Sequence, residues 1–381
     1  MYQLYGLQDY LYLLLYGAAM MSAILSCLYL LLRRHNFLSQ TEPPLALRRW
    51  AAAFLAAVAM SHVWWIAIGT AVLGDDTIAR NAINIMLDSV TMVPTMMATL
   101  LTMLQDRRRP VWPVFAAVVP TVIIALWAGI AEHNPEYEKY ICIYMFTITV
   151  CFVIYMAHAV RQYGRWLRNN YADMEHKEVW QSLVFLLVIM LMFLCYKTNY
   201  GETMTEYLVQ LYTLLLIGFL LWRVETLQQL DEEQDNEEEE NMAEQELEKE
   251  PAVNSDETVE NVPIGKLTAH IGKLLKTHCE AKHLYLQHDI SLSRLSTAIG
   301  TNRTYLGQYF QQQGITYNTY INQLRINHFV KLYRKADKAR PFSVQEAANN
   351  SGYQSYRTFA TVFKNIMGMT ASEWMEKEKE K

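Results

Sequence analysis

Cysteine is sparse and unpatterned. The five cysteines, at positions 27, 142, 151, 195 and 279, form no framework of pairs, and four of them sit in apolar runs. A small fold stapled by disulfides is thereby set aside. Cys279 lies near His278, His283 and His288, but one thiol among histidines at irregular spacing is ordinary surface composition rather than a zinc motif. No metal and no other cofactor is expected. Catalytic signatures are missing too: H-E-x-x-H, G-x-S-x-G and G-x-x-x-x-G-K-S/T do not occur, and no paired carboxylates fall inside the apolar runs. Nothing in the sequence asks for an enzyme. Basic residues are absent from the first ten positions, whereas Arg33 and Arg34 follow the first apolar run. That run lacks the basic leader of a secretory signal and is expected to remain as an anchor.

Apolar residues make up 52% of the 381, which is high for one soluble protein. The net charge of −5 hides three unlike parts. Residues 1 to 230 hold 15 Lys/Arg and 15 Asp/Glu, 231 to 261 hold 1 and 15, and 262 to 381 hold 17 and 8. An apolar neutral part, an acidic segment of net −14 and a basic part of net +9 are different physical objects.

Seven apolar runs of spanning length precede residue 225: Leu11 to Leu32, Trp50 to Leu73, Ile83 to Leu104, Val111 to Ala131, Tyr140 to Ala159, Val179 to Tyr196 and Met204 to Trp222. Helices of about 20 residues cross a hydrocarbon core of about 30 Å while satisfying every backbone group internally. The connections after the first, third and fifth runs carry eleven basic residues (Arg33, Arg34, Arg48, Arg49, Arg107, Arg108, Arg109, Arg161, Arg165, Arg168, Lys177). The alternate connections carry three, Arg80, Lys139 and Lys197. By the positive-inside rule the N-terminus is expected outside and the C-terminus in the cytoplasm. Aromatic residues near the run ends form the ordinary interfacial belt. Polar residues at depth are more telling. His62 falls mid-run, and Asn84 and Asp88 lie one turn apart ahead of Thr91 and Pro94. They are either a candidate sensing site for a signal or plain interhelical hydrogen bonding with a proline kink.

Asp231 to Asn261 is dominated by Glu and has no aromatic residue, so it cannot fold alone and reads as an extended linker. It either stays solvated or shields the basic domain beside it.

That basic part carries a repeated pattern about 53 residues apart. S-L-S-R-L-S-T-A-I-G-T-N-R-T-Y-L-G-Q-Y-F begins at Ser291, and S-V-Q-E-A-A-N-N-S-G-Y-Q-S-Y-R-T-F-A-T-V-F-K begins at Ser343. Each copy is a short amphipathic helix, a turn at Gly300 or Gly352, and a second helix with an apolar pair, Leu306/Phe310 or Phe359/Phe363. A glycine turn between two such helices is the helix-turn-helix pattern, whose second helix enters the DNA major groove. A connecting helix is expected from about Tyr317 to Lys335.

Residues from about Ile264 to Met375 resemble the DNA-binding domain of the AraC/XylS family of bacterial transcription regulators. Tyr305, Leu306, Phe310, Gly314, Tyr320, Ile321, Leu324 and Arg325 carry the resemblance in the first half. Ala348, Gly352, Tyr353, Phe359, Phe363, Lys364, Gly368 and Thr370 carry it in the second. Two departures lie in the last helix: Ala371 stands where the family usually has Pro, and Trp374-Met375 where it usually has an aromatic residue followed by Arg. The resemblance implies that both second helices enter successive major-groove segments, about one helical repeat of 34 Å apart.

With each apolar pair turned to a core, the opposite faces hold Thr304, Gln308 and Gln311 in the first copy and Arg357, Thr361 and Lys364 in the second. Gly307 permits close approach, and Arg303 and Tyr356 complete the candidate set. Arg357 suits guanine and Gln308 adenine, while Arg303 and Lys364 suit phosphates. The expected architecture is all-α: a seven-helix transmembrane domain (1 to 230), an acidic linker (231 to 261) and a cytoplasmic tandem helix-turn-helix domain (262 to 381). The expected function is promoter binding under control of a signal, with double-stranded DNA, the lipid bilayer, an unknown ligand and a homodimer as partners. The alternative is a membrane transporter or enzyme with a regulatory tail.

Overall fold

The computed structural model describes residues 7–32, 43–71, 76–175, 177–184, 202–230, 264–336 and 342–379. Most of the sixth apolar run, the acidic linker, and Arg33 and Arg34 lie outside these residues. Within them the chain is helical throughout, with one isolated antiparallel bridge between Tyr171 and Ser291. Contacts divide the chain into two compact units: Met1–Tyr163 with His176–Leu230, and Gly164–Glu175 with Asp231–Lys381. Gly164–Glu175 thus groups with the C-terminal unit although it lies between two apolar runs in the chain.

The first unit contains α1 (Leu7–Leu32), α2 (Leu45–Ala71), α3 (Thr77–Thr102), α4 (Trp112–Ala116), α5 (Val119–Ile124), most of α6 (Tyr137–Asn170) and α7 (Glu202–Thr226). Six stretches among the described residues are long and apolar enough to cross a membrane. The fourth run differs from a simple spanning helix. It is cut into α4, α5 and a π-helical turn over Ala125–Ala131, because Pro113 and Pro120 each sit at the start of a new helical piece. Proline has no N–H to continue a helix and is best tolerated in a first turn. In α3, Pro94 lies inside the helix, and hydroxyls of Thr91, Thr95 and Thr99 bond to carbonyls one turn back at Leu87, Thr91 and Thr95. None of these acceptors is the Val90 carbonyl, the one that Pro94 leaves without its helical N–H. The outer surface of this unit is apolar: Leu13, Leu14, Leu25, Ile143, Ile154 and Leu215 are each more than half exposed.

The second unit is built from α8 (Ile264–Leu274) with a π-helical continuation to Glu280, then α9 (Leu292–Ile299), α10 (Arg303–Gln312), α11 (Tyr317–Lys335), α12 (Val344–Asn350), α13 (Tyr356–Met367) and α14 (Ala371–Lys379). The connecting helix occupies the residues expected for it. Two aromatic-rich cores form. The first gathers Leu275, Tyr285, Leu295, Leu306, Phe310 and Tyr317, and it includes Ala172. The second gathers Phe329, Tyr353, Phe359, Phe363 and Trp374. Helix α11 runs through both, giving Tyr317 and Ile321 to the first and Ile326 and Phe329 to the second. Where the cores meet, Arg325 is 1% exposed. Its Nε donates to the Tyr285 carbonyl and its Nη2 to that of Gln287, both at 2.8 Å, and its guanidinium lies 5.4 Å from the Tyr353 ring centre.

Helix starts follow the sequence. Ser291, Asn302, Thr316, Ser343 and Ser355 each accept a bond from a backbone N–H in the first turn. The last helix begins at Ala371 under a reciprocal cap, Thr370 N–H to Glu373 Oε2 and Glu373 N–H to Thr370 Oγ1. A Thr-x-x-Glu box thus replaces the usual proline start.

Two substitutions test the junction. Arg325→Met removes two bonds from a charged donor, each worth about 1.5 to 3 kcal/mol, so opening of the α11 core amides, read by native-state hydrogen exchange, should ease by at least about 3 kcal/mol. At Gly352 the backbone φ is +91°, and a Cβ would meet Arg325 Nε and the Leu286 carbonyl at 2.9 Å. Gly352→Ala should cost about 1 to 3 kcal/mol in backbone strain alone, read by the same exchange.

Candidate nucleic-acid interface

Helix α10 buries Leu306 and Phe310, at 0% and 3% exposed, against the first core. That anchoring turns Thr304, Tyr305, Gln308 and Gln311 outward, all of them exposed. Gly307 is half-buried, and an added Cβ would meet nothing nearer than Leu292 at 3.9 Å. Packing therefore does not demand glycine there, and the open side faces a groove. That groove, of 820 Å³, is lined by Thr301, Arg303, Gly307, Gln308, Gln311 and Asn170 among others. Helix α13 repeats the arrangement: Phe359 and Phe363 are fully buried, and Tyr356, Arg357, Thr361 and Lys364 are exposed. The Thr361 hydroxyl donates to the Arg357 carbonyl at 3.0 Å, and the Arg357 side chain is exposed.

Eight of the nine sequence-selected residues thus lie on the outward faces of α10 and α13 or beside them. Arg303 differs. It is half-buried, and its Nη2 donates to Asn170 Oδ1 at 2.9 Å. Sequence reasoning missed what surrounds it: Asn170, Tyr171, Ala172 and Asp173 are all buried. Asn318 Nδ2 donates to the carbonyls of Tyr171 and Ala172, at 3.2 and 2.6 Å, and Asn322 Nδ2 to that of Ala172 at 3.0 Å. Glu175 Oε2 accepts from the hydroxyls of both Ser355 and Thr358 at the start of α13. No periodicity or motif in Asn169–Glu175 announced this.

Of His62, Asn84 and Asp88, the first and last have hydrogen-bond partners and Asn84 has none among the described residues. His62, 8% exposed on α2, has Nδ1 at 2.8 Å from the Val58 carbonyl and Nε2 at 3.0 Å from Gln210 Oε1. Its own carbonyl accepts from the Tyr16 hydroxyl at 2.6 Å. Asp88 on α3 accepts from the indoles of Trp64 and Trp65 at 3.1 and 2.9 Å. Asn84 is 1% exposed, and neither amide atom has a hydrogen-bond partner among the described residues.

Cys279 and His283 have separate surroundings. Cys279 is fully buried in the first core, and that burial pushes its thiol up to about 12. His283 Nδ1 lies 2.9 Å from the Tyr285 hydroxyl. Among the described residues no group of three or more His, Cys, Asp or Glu is placed to hold a metal ion.

Residues 295–377 match the helix-turn-helix domain family. The class the geometry defines at the C-terminus is therefore a helix-turn-helix domain, with α9/α10 and α12/α13 as its two units. Among curated proteins the chain is similar to the TCP pilus virulence regulatory protein of Vibrio cholerae serotype O1, in two strains. The identity is 31% over 75 residues, 20% of this chain and 26% of that protein. The chain spans about a quarter of the length of the curated relatives it matches. No solved structure matches it.

Because the thiolate is the reactive form, Cys279 should resist iodoacetamide at pH 8 in the folded chain and be alkylated quickly once the domain is unfolded in urea. Peptide mass spectrometry checks this.

Proposed function

We propose that the chain is a membrane-anchored transcription regulator that binds promoter DNA through α10 and α13 and answers to a signal received by its membrane part. The observation that carries this reading is the matched pair of outward polar faces on α10 and α13, each held by a buried aromatic or aliphatic pair on a helix-turn-helix frame. In that geometry Arg357 is the guanine reader, Gln308 an adenine reader, and Gln311, Thr304, Thr361 and Tyr356 supporting contacts in the groove. Lys364 and Arg303 reach phosphates, and Gly307 lets the DNA backbone come close. The net charge of +9 over residues 262 to 381 adds sequence-independent attraction. The likeness to a virulence regulatory protein supports a role in regulation.

The membrane assignment is supported by the six long apolar helices and by their outward apolar surface, which lipid would cover. Residues 1 to 230 are the membrane domain, 231 to 261 the acidic linker, and 262 to 381 the DNA-binding domain, with the N-terminus outside and the C-terminus in the cytoplasm of a bacterium. The eleven-to-three split of basic residues and the need for the reading helices to reach DNA agree on that orientation. His62, Asn84 and Asp88 are the residues through which a ligand or proton would be sensed, with the unpartnered Asn84 amide the first to examine. A homodimer would place two such domains on one promoter. The chain carries no catalytic role in this reading.

The full chain in lipid nanodiscs, presented with a random duplex library, should select a motif covering two major-groove segments. Arg357→Ala should relax one base pair of that motif by about 1 to 3 kcal/mol. Lys364→Ala should weaken all duplexes alike and flatten the salt dependence by about one unit of slope. Binding without any motif over the whole salt range would refute the regulator reading.

A further inference from the structure

The chemistry that holds Asn170–Glu175 is the chemistry that holds a DNA backbone. Proteins bind phosphates with Arg, Ser and Thr side chains and with helix N-termini, where unpaired N–H groups and the helix dipole favour negative charge. In this protein the guanidinium of Arg303, at the start of α10, is taken by Asn170. The hydroxyls of Ser355 and Thr358, at the start of α13, both donate to one carboxylate oxygen of Glu175. Helix-turn-helix proteins read bases with the N-terminal residues of the second helix. One short segment therefore occupies the starts of both reading helices.

The attachment is specific rather than incidental. The segment follows α6 directly, and four consecutive residues, Asn170 to Asp173, are buried. The carbonyls of Tyr171 and Ala172 are received by Asn318 and Asn322 on α11, Ala172 sits in the first core, and Tyr171 bridges to Ser291. Four polar anchors and one core contact hold the segment, while its two ends, Asn170 and Glu175, cover DNA-facing donors.

We infer that Asn170–Glu175 is an autoinhibitory strap, a phosphate mimic that must leave the starts of α10 and α13 before duplex DNA can bind. This rests on the regulator reading above. Because α6 and the strap are one continuous chain, a change in the membrane part that draws on α6 would act on the strap first. The coupling is reciprocal: if the strap weakens DNA binding by some factor, DNA weakens strap docking by the same factor.

The test uses the full chain in lipid nanodiscs and the duplex recovered by the selection described above. Glu175→Gln keeps the size of the side chain and removes its charge, and Asn170→Ala frees Arg303. Each should bind that duplex at least about fivefold more tightly than the unaltered chain, the lower end of a typical coupling. Hydrogen exchange on the unaltered chain gives a second readout that needs no substitution: adding the duplex should speed exchange of the 171–175 amides by a similar factor. Equal or weaker binding by both variants, or unchanged exchange at 171–175 on saturation with duplex, would overturn the strap while leaving the regulator reading intact. Failure of every chain to select a duplex would overturn both.

Discussion

The C-terminal unit depends on one buried cation. Arg325 sits at the middle of α11, where the two aromatic cores meet, and its guanidinium ties the Tyr285–Gln287 loop of the first half to the Tyr353 ring of the second. A buried charge is costly unless it is fully hydrogen-bonded and faced by compensating groups. Here the backbone carbonyls, the aromatic face and the nearby carboxylates of Asp173 and Asp289 supply that compensation. Desolvation nevertheless lowers the Arg325 pKa from its ordinary value. The planar fork of arginine suits two carbonyls at once, which the point charge of a lysine does not. Gly352 belongs to the same constraint, since only a residue without Cβ leaves room beside Arg325 and Leu286.

From that junction the spacing of α10 and α13 follows. Helix α11 is one rod of 19 residues that contributes side chains to both cores. Leu306 and Phe310 lock α10 to one end of it, and Phe359 and Phe363 lock α13 to the other. The outward faces of α10 and α13 are then presented by rigid elements rather than by loops. In the proposed reading mode this matters more than the identity of any one polar side chain, because both helices would enter the groove from one frame.

The first unit is built differently. Its long helices keep leucine, isoleucine and valine on the outside and turn His62, Gln210 and Ser89 inward. Where proline falls in the fourth run, a new helical piece begins. Proline is tolerated in a first turn because the N–H it lacks would have no partner within the helix.

Much of this was legible from residues alone. Periodicity and glycine turns located α9 through α13, including both ends of α11, because amphipathic spacing and turn glycines are local signals. The outward positions on α10 and α13 were equally legible, since burying Leu306/Phe310 and Phe359/Phe363 leaves the opposite faces no other place to go. The broken fourth run was visible only as Pro113 and Pro120, whose effect on a long apolar stretch depends on how neighbouring helices receive the freed carbonyls. Arg325 was noticed as part of a resemblance, yet its partners lie 38 and 40 positions away in sequence. The contacts of Asn170 and Glu175 span 133 to 183 positions. Sequence by itself determined the helices, their buried faces and the separation of apolar, acidic and basic parts, because these depend on composition and near-neighbour spacing. Tertiary structure alone decided which buried cation joins the cores and which segment contacts the starts of α10 and α13, because contacts between distant residues leave no periodic trace in the chain.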